Sequence, residues 1–230
     1  MPKIELISER RVYDEYLKID EGTVKETSDT GEEETYKRFA LTRPDAVAVL
    51  IYNADTDKVI LVKQHRYPVQ VHGIDGDIYE IVAGKMDGDE APSDTAIREA
   101  MEEVGYEIKE DKMIFMSEYF PSPGYSTEMI HLFAATVTNE DKKSDGGGVE
   151  GEHENINIIE VPAPEFFNMI STGEIVDGKT IMGANALWHL RNGQFVELGK
   201  RYYEILRMER AQQTAESVIN EDTDADETTK

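Results

Sequence analysis

Three glutamates, Glu99, Glu102 and Glu103, stand beside Arg98 in the segment GKMDGDEAPSDTAIREAMEEVGY that runs from Gly84 to Tyr106. The stretch from about Pro92 to Val104 reads as a helix, with proline near its start and Gly105 just past its end. At about 100° per residue, Ile97, Ala100, Met101 and Val104 fall on one side and the three glutamates on the other. Glu99 and Glu103 are one turn apart, and Arg98 is one turn from Glu102. Carboxylates so placed repel one another by several tenths of a kcal/mol per pair one turn apart. A hard divalent cation removes that repulsion, and Mg²⁺ favours carboxylates that share it with substrate phosphates. The helix alone also reads as an ordinary solvated acidic face. The wider spacing decides between the two. Gly84, Glu90, Arg98, Glu99, Glu102, Glu103 and Gly105 fill the pattern G-x5-E-x7-R-E-U-x-E-E-x-G-U, with U an apolar residue. Even allowing for an acid-rich chain, chance would fill it only on the order of 10⁻⁷ times per start position.

This arrangement resembles the Nudix hydrolases. Only the last position is loose, where Tyr106 stands in place of an aliphatic residue. The likeness covers roughly residues 36–190. VKQHRYP (62–68), YEIVAG (79–84) and SPGYSTE (122–128) are similar to the ADP-ribose pyrophosphatase branch. GGGVEGEHENI (146–156) and GEIVDGKT (173–180) are more similar to its GDP-mannose pyrophosphatase relatives. The resemblance implies an α/β Nudix fold, an α/β/α sandwich around a mixed β-sheet, with an added N-terminal β arm. It also implies Mg²⁺-dependent hydrolysis of a nucleoside diphosphate sugar to a nucleoside monophosphate and a sugar phosphate. Two or three ions would act per site, with Mn²⁺ as an alternative. Such ions neutralise the pyrophosphate, acidify a bound water and hold it in line with phosphorus.

Roles follow from the resemblance position by position. Glu99 and Glu103 are expected to ligate metal, with the backbone carbonyl of Ala83. Glu102 is expected either as an outer ligand or, preferably, as the partner of Arg98. Gly84, Glu90, Arg98 and Gly105 would hold the loop–helix–loop together. Glu154 takes the place of a further metal ligand and Glu152 that of the general base; a shift of two residues would make Glu150 the base. The competing reading of this loop is a run of solvated acids, although its length and glycine content favour function. Arg66 and Arg38 are expected at the substrate, Arg38 reaching the partner subunit's site; both also read as surface arginines. Glu80, Ser126 and Glu128 complete the substrate set, the last two reading equally as shapers of the SPG turn. Tyr13 or Tyr16 is expected to stack on the base. The partners implied are the nucleotide sugar and a second copy of the chain, in a homodimer with a swapped arm.

Positioning these groups needs a sheet. AVAVLIYN (46–53) and KVILVKQH (58–65) read as a buried hairpin, and IYEIVAG (78–84) as a strand ending in glycine. MIFMSEYF (113–120), MIHLFAATV (129–137) and NIIEV (157–161) are further strands. Helices are expected over 164–175, 180–193 and 198–211, with Trp188 in the core. Upstream, residues 11–27 read as a strand or hairpin and residues 36–41 as another strand after the turn SDTGEEET, too small a unit for its own core. The domain division expected is an arm at 1–44, a catalytic domain at 45–211 and an acidic, disordered tail at 212–230.

Composition bounds the rest. Hydrophobic residues make up 39% of the 230, and the net charge is -24, from 48 acids against 24 bases. That balance excludes a nucleic-acid binder, which needs a basic face. No apolar run approaches the ~20 residues that cross a bilayer, and MPKIELISERR lacks the apolar stretch of a signal peptide. With no cysteine, disulfides and thiolate sites are excluded, and a cytoplasmic location is expected. His65, His72, His131 and His189 form no spaced ligand set. The alternatives are a Nudix hydrolase of a nucleoside triphosphate or dinucleoside polyphosphate, and a non-catalytic ADP-ribose sensor. The long arm and the two glycine-bearing loops count against the first. The intact set of motif carboxylates counts against the second.

Overall fold

The N-terminal segment alternates β-branched and aromatic residues with charge, and it forms a three-stranded antiparallel meander of β1 (Lys3–Asp14), β2 (Lys18–Thr27) and β3 (Glu33–Thr42). The first strand starts at Lys3, earlier than the sequence suggests. The turn between β2 and β3 is closed by the Ser28 hydroxyl, which accepts the Glu32 amide at 3.0 Å, and by Gly31 at φ 84°. Ion pairs of Arg11 with Asp20 (2.6 Å) and of Arg10 and Lys37 with Glu21 (3.0 and 2.9 Å) tie the strands side by side. Ile4, Leu6, Ile7 and Phe39 stay exposed on this sheet. A computed structural model describes residues 1–148 and 155–191. Glu150, Glu152 and Glu154, the helix expected at 198–211 and the acidic tail at 212–230 lie outside the described residues.

The two longest apolar runs form β4 (Ala46–Asn53) and β5 (Lys58–His65), at the centre of a seven-stranded sheet. They pair directly only near their turn, from Ile51↔Ile60 to Asn53↔Lys58. Beyond it the strands separate and the chain inserts β6 (Asp77–Glu80) against β5 and β7 (Val82–Lys85) against β4. The sequence reads these as one strand; the structure breaks it at Ile81. The Ile81 amide donates to the buried Thr180 hydroxyl at 2.8 Å instead of to a neighbouring strand. β8 (Met113–Tyr119) and β9 (Ile130–Val137) extend the sheet, β9 running parallel to β4, and β10 (Asn157–Pro162) closes the other edge on β5. A short exposed helix, α1 (Tyr67–Val71), which the sequence did not signal, joins β5 to β6.

Alternation along the buried strands sends side chains to both faces. Val47, Val49, Ile51, Val62, Val82 and Phe133 meet Ala96, Ala100 and Val104 of α2 (Pro92–Val104) on one face. Ala48, Leu50, Leu61, Ile81 and Leu132 meet Phe166 and Met169 of α3 (Ala163–Thr172) and Leu187 of α4 (Gly178–Arg191) on the other. The result is the expected α/β/α sandwich around a mixed sheet. Helix α3 stops where Gly173 turns left-handed at φ 77°, short of the expected end at 175. Trp188, expected in the core, is 59% exposed; Ala186 and Leu187 occupy the inward positions of that turn. No described helix is long and apolar enough to cross a membrane.

Candidate metal and substrate site

The sheet's split places the end of β7 against the flank of α2. A β-carbon built on Gly84 would overlap the carboxyl group of Glu99. Only glycine lets that side chain lie on the strand backbone. One turn on, the Glu103 carboxylate accepts the Ala83 amide at 3.4 Å and is only 3% exposed. The helical wheel puts Glu103 opposite the sheet; its burial arises because β7 runs past the core and covers that flank. In an extended strand a residue's N–H and C=O leave on the same side, so the Ala83 carbonyl lies on the edge that faces Glu103. Arg98 sits among Glu99 (2.9 Å), Glu102 (2.8 Å) and Glu90 (3.4 Å). Burial disfavours its charge, but Glu90, Glu99 and Glu102 outweigh this and hold the guanidinium firmly protonated. Thr95 also donates to Glu90 at 2.8 Å, fixing the loop before the helix to its first turns.

These groups suit a hard divalent ion: two carboxylates one turn apart and a backbone carbonyl, all oxygen donors, over a glycine that leaves room for them. Among the described residues no three His, Asp or Glu side chains form a complete cage.

A second charged cluster forms beside β6. Glu80 is buried, and its Oε2 accepts from Gln64 (3.0 Å) and from Nε and Nη2 of Arg66 (3.0 and 2.7 Å). Its other oxygen accepts from Lys179 at 2.8 Å. Burial raises the Glu80 carboxyl, but Lys179 and Arg66 more than offset this and leave it below the usual carboxylate range. Burial likewise opposes charge on Lys179, and Asp177 and Glu80 reverse the effect. Asp177 accepts the Thr180 amide at 2.9 Å and so caps α4. Glu80, expected at the substrate, is thus enclosed by its own cations, while Arg66 keeps 39% of its side chain exposed.

The SPG loop is stitched to the arm. Leu41 donates to the Tyr125 carbonyl (2.6 Å), Thr127 returns a bond to Leu41 (3.0 Å), and Arg43 pairs with Glu128 (3.2 Å). Ser126 accepts the Glu128 amide at 3.2 Å. Both side chains therefore shape this loop. Arg38 lies on the arm sheet, stacked over Tyr36 at 4.1 Å. Of the two candidate aromatics, Tyr16 comes near the site: its ring lies 5.7 Å from the ammonium of Lys85, next to Gly84.

Sequence reasoning missed Lys179 and Asp177. Their signal is the Asp-Gly-Lys-Thr string, a capping residue before a helix. It also missed Tyr119, whose buried hydroxyl has no hydrogen-bond partner among the described residues; burial, Asp177 and Glu128 push it up. A lone strand tyrosine gives no sequence signal.

Comparison with known proteins agrees with this geometry. The model of the NUDIX domain matches residues 42–174. GDP-mannose pyrophosphatases of Shigella flexneri serotype 5b (strain 8401) and Escherichia coli O157:H7 are each 38% identical over 186 residues, covering 80% of this chain and 95% of the relative. A solved structure of an ADP compounds hydrolase superposes with a TM-score of 0.61, covering 84% of this chain and 96% of that one; at 19% identity it speaks for the fold alone. The domain match, the relatives and the carboxylate helix folded over its glycine strand agree, and the chain belongs to the Nudix family.

Proposed function

We propose that the chain hydrolyses the pyrophosphate bond of a nucleoside diphosphate sugar, of the GDP-mannose or ADP-ribose type, with Mg²⁺. The observation that carries this reading is the seating of Glu99 on Gly84 with Glu103 on the Ala83 amide. The 38% identity to GDP-mannose pyrophosphatases over nearly their whole length supports the substrate class.

Glu99, Glu103 and the Ala83 carbonyl would hold the metal, with Glu154 as a further donor. Bound there, a divalent ion supplies neutralising charge for the pyrophosphate and lowers the pKa of a coordinated water. Arg98 neutralises Glu102 and steadies Glu99, so Glu102 serves the scaffold more than the metal. Glu152 accepts the proton of the attacking water, or Glu150 does if the register shifts by two. Arg66 offers its exposed edge to phosphate oxygens, and Glu80 holds it there as a positioning residue. Ser126 and Glu128 would border the sugar, and Tyr16, whose ring lies 5.7 Å from the Lys85 ammonium, would meet the base. Residues 1–44 form an arm whose exposed apolar face joins two copies, bringing Arg38 to the partner's site. Sedimentation equilibrium should then give twice the 26.0 kDa chain mass; a monomer contradicts this part of the reading.

The test is cleavage in H₂¹⁸O with Mg²⁺ of GDP-mannose, ADP-ribose and nucleoside triphosphates. The expected products are a nucleoside monophosphate and a sugar phosphate, with one ¹⁸O on one of them. Turnover of triphosphates alone, or binding of ADP-ribose without cleavage, would overturn the reading.

A further inference from the structure

The last turn of a helix ordinarily leaves four carbonyls without a helical partner. At the C-terminal end of α2 and its capping glycine, the carbonyls from Ala100 to Gly105 are all engaged. Tyr106 and Gly105 amides bind those of Ala100 (3.2 Å) and Met101 (3.1 Å); Gly148 and Gly147 bind those of Glu102 (3.0 Å) and Glu103 (2.8 Å); Lys143 binds that of Gly105 (2.8 Å). The carbonyl of Val104 is taken by a side chain: the Lys142 ammonium, at 2.6 Å. The same ammonium lies 5.0 Å from the ring centroid of the buried Tyr106. The backbones of Tyr106 and Lys142 form an antiparallel bridge. Tyr106 is where the motif ordinarily has an aliphatic residue, and here it provides an aromatic floor for a cation. Gly146 is packed so closely that a β-carbon would come within 2.6 Å of the Glu103 carbonyl oxygen.

We propose that Lys142 is a positioning residue for the metal site, its ammonium clamping the end of α2 between the Val104 carbonyl and the Tyr106 ring so that the Glu103 carboxylate is held against Ala83. A cation at a helix C-terminus is favoured by the helix dipole. Here it also sets the segment 142–148 whose glycine amides bind Glu102 and Glu103. The inference rests on the metal role proposed for Glu103, so it is tested on metal uptake apart from turnover.

The experiment titrates Mn²⁺ alone into full-length wild type, Lys142→Met and Lys142→Arg, reading free Mn²⁺ by electron paramagnetic resonance. Hydrogen exchange at Gly147 and Gly148 and the metal-free Tm are read in parallel. Methionine keeps the stem over Tyr106 and loses the charge and donor; arginine keeps both. The expected result is a Kd about three- to tenfold weaker in Lys142→Met, from the loss of one charge-assisted bond. Faster exchange at both glycines should accompany it, and arginine should restore both readouts. A purely structural lysine would lower Tm and leave the Kd of the folded protein unchanged, and that outcome overturns the proposal. If Lys142→Met does not fold, Lys142→Arg decides: wild-type affinity supports the clamp, and weakened affinity overturns it. A wild type that takes up no Mn²⁺ overturns it as well. Weakened uptake in Lys142→Met, in a wild type that cleaves no nucleotide sugar, supports the clamp and sinks the functional reading instead.

Discussion

At Gly84 the missing side chain gives the Glu99 carboxyl group its place on the strand. Gly84→Ala should push Glu99 off the backbone without disturbing the core. The expected effect is a fall in kcat of about a hundredfold, the scale of a 1 Å misplacement of a reacting group, with Tm nearly unchanged. Steady-state kinetics beside a thermal melt checks this; an active alanine variant would mean that Glu99 acts from elsewhere. Glu80 is the second residue whose environment decides its role. Its carboxyl is depressed in the fold by Lys179 and Arg66, against the opposing effect of burial. Its stabilisation is therefore present above the ordinary carboxylate range and is lost as pH falls through the depressed value. Glu80→Gln leaves Lys179 and Arg66 without their shared anion and should destabilise at neutral pH by on the order of 3 kcal/mol. The gap to wild type should close in acid. A gap that is constant with pH in denaturant melts would show that the charge of Glu80 is not what holds the cluster.

The elements were legible to the extent that each carries a local signal. The 3.6-residue pattern, the early proline and the terminal glycine marked α2 to the residue, and continuous apolar runs marked β4 and β5. The division of residues 78–84 into β6 and β7 was not legible, because the group that takes up the Ile81 amide at the break is Thr180, ninety-nine residues beyond Ile81. The burial of Glu103 was hidden for the same reason: periodicity describes one helix and says nothing of the strand that crosses its flank. The triglycine loop read as long and functional; its capping of α2 depends on a contact between distant segments that spacing does not reveal. Thr180 tests this level. Its hydroxyl accepts from Ile81 and donates to Asp177 at 2.6 Å, in a residue with no exposure. Thr180→Val strands a buried amide and should cost about 1–3 kcal/mol, or roughly 2–4 °C of Tm per kcal/mol for a chain of this size. A valine variant as stable as wild type would show that another group serves the strand break.

Across the whole molecule, charge and site pull in opposite directions. A net charge of -24 repels an anionic substrate, so the proposed binding of a nucleotide sugar would depend on local cations and metal rather than on the field of the protein. The described part of the site accordingly places Arg66, Lys179 and Arg98 next to Glu80, Glu90, Glu99 and Glu102. The family was readable from seven positions because the chemistry needs those residue types at that spacing; the arm's apolar face and the enclosure of Glu80 needed the fold. The most direct test of the central claim is phosphate release, through a coupled phosphatase, from GDP-mannose, ADP-ribose, other nucleotide sugars and nucleoside triphosphates with Mg²⁺, comparing wild type with Glu103→Gln. The expected result is cleavage of one or two nucleotide sugars, reduced in the variant by at least about a hundredfold. Equal turnover by the variant, or no cleavage of any nucleotide sugar by the wild type, would contradict it.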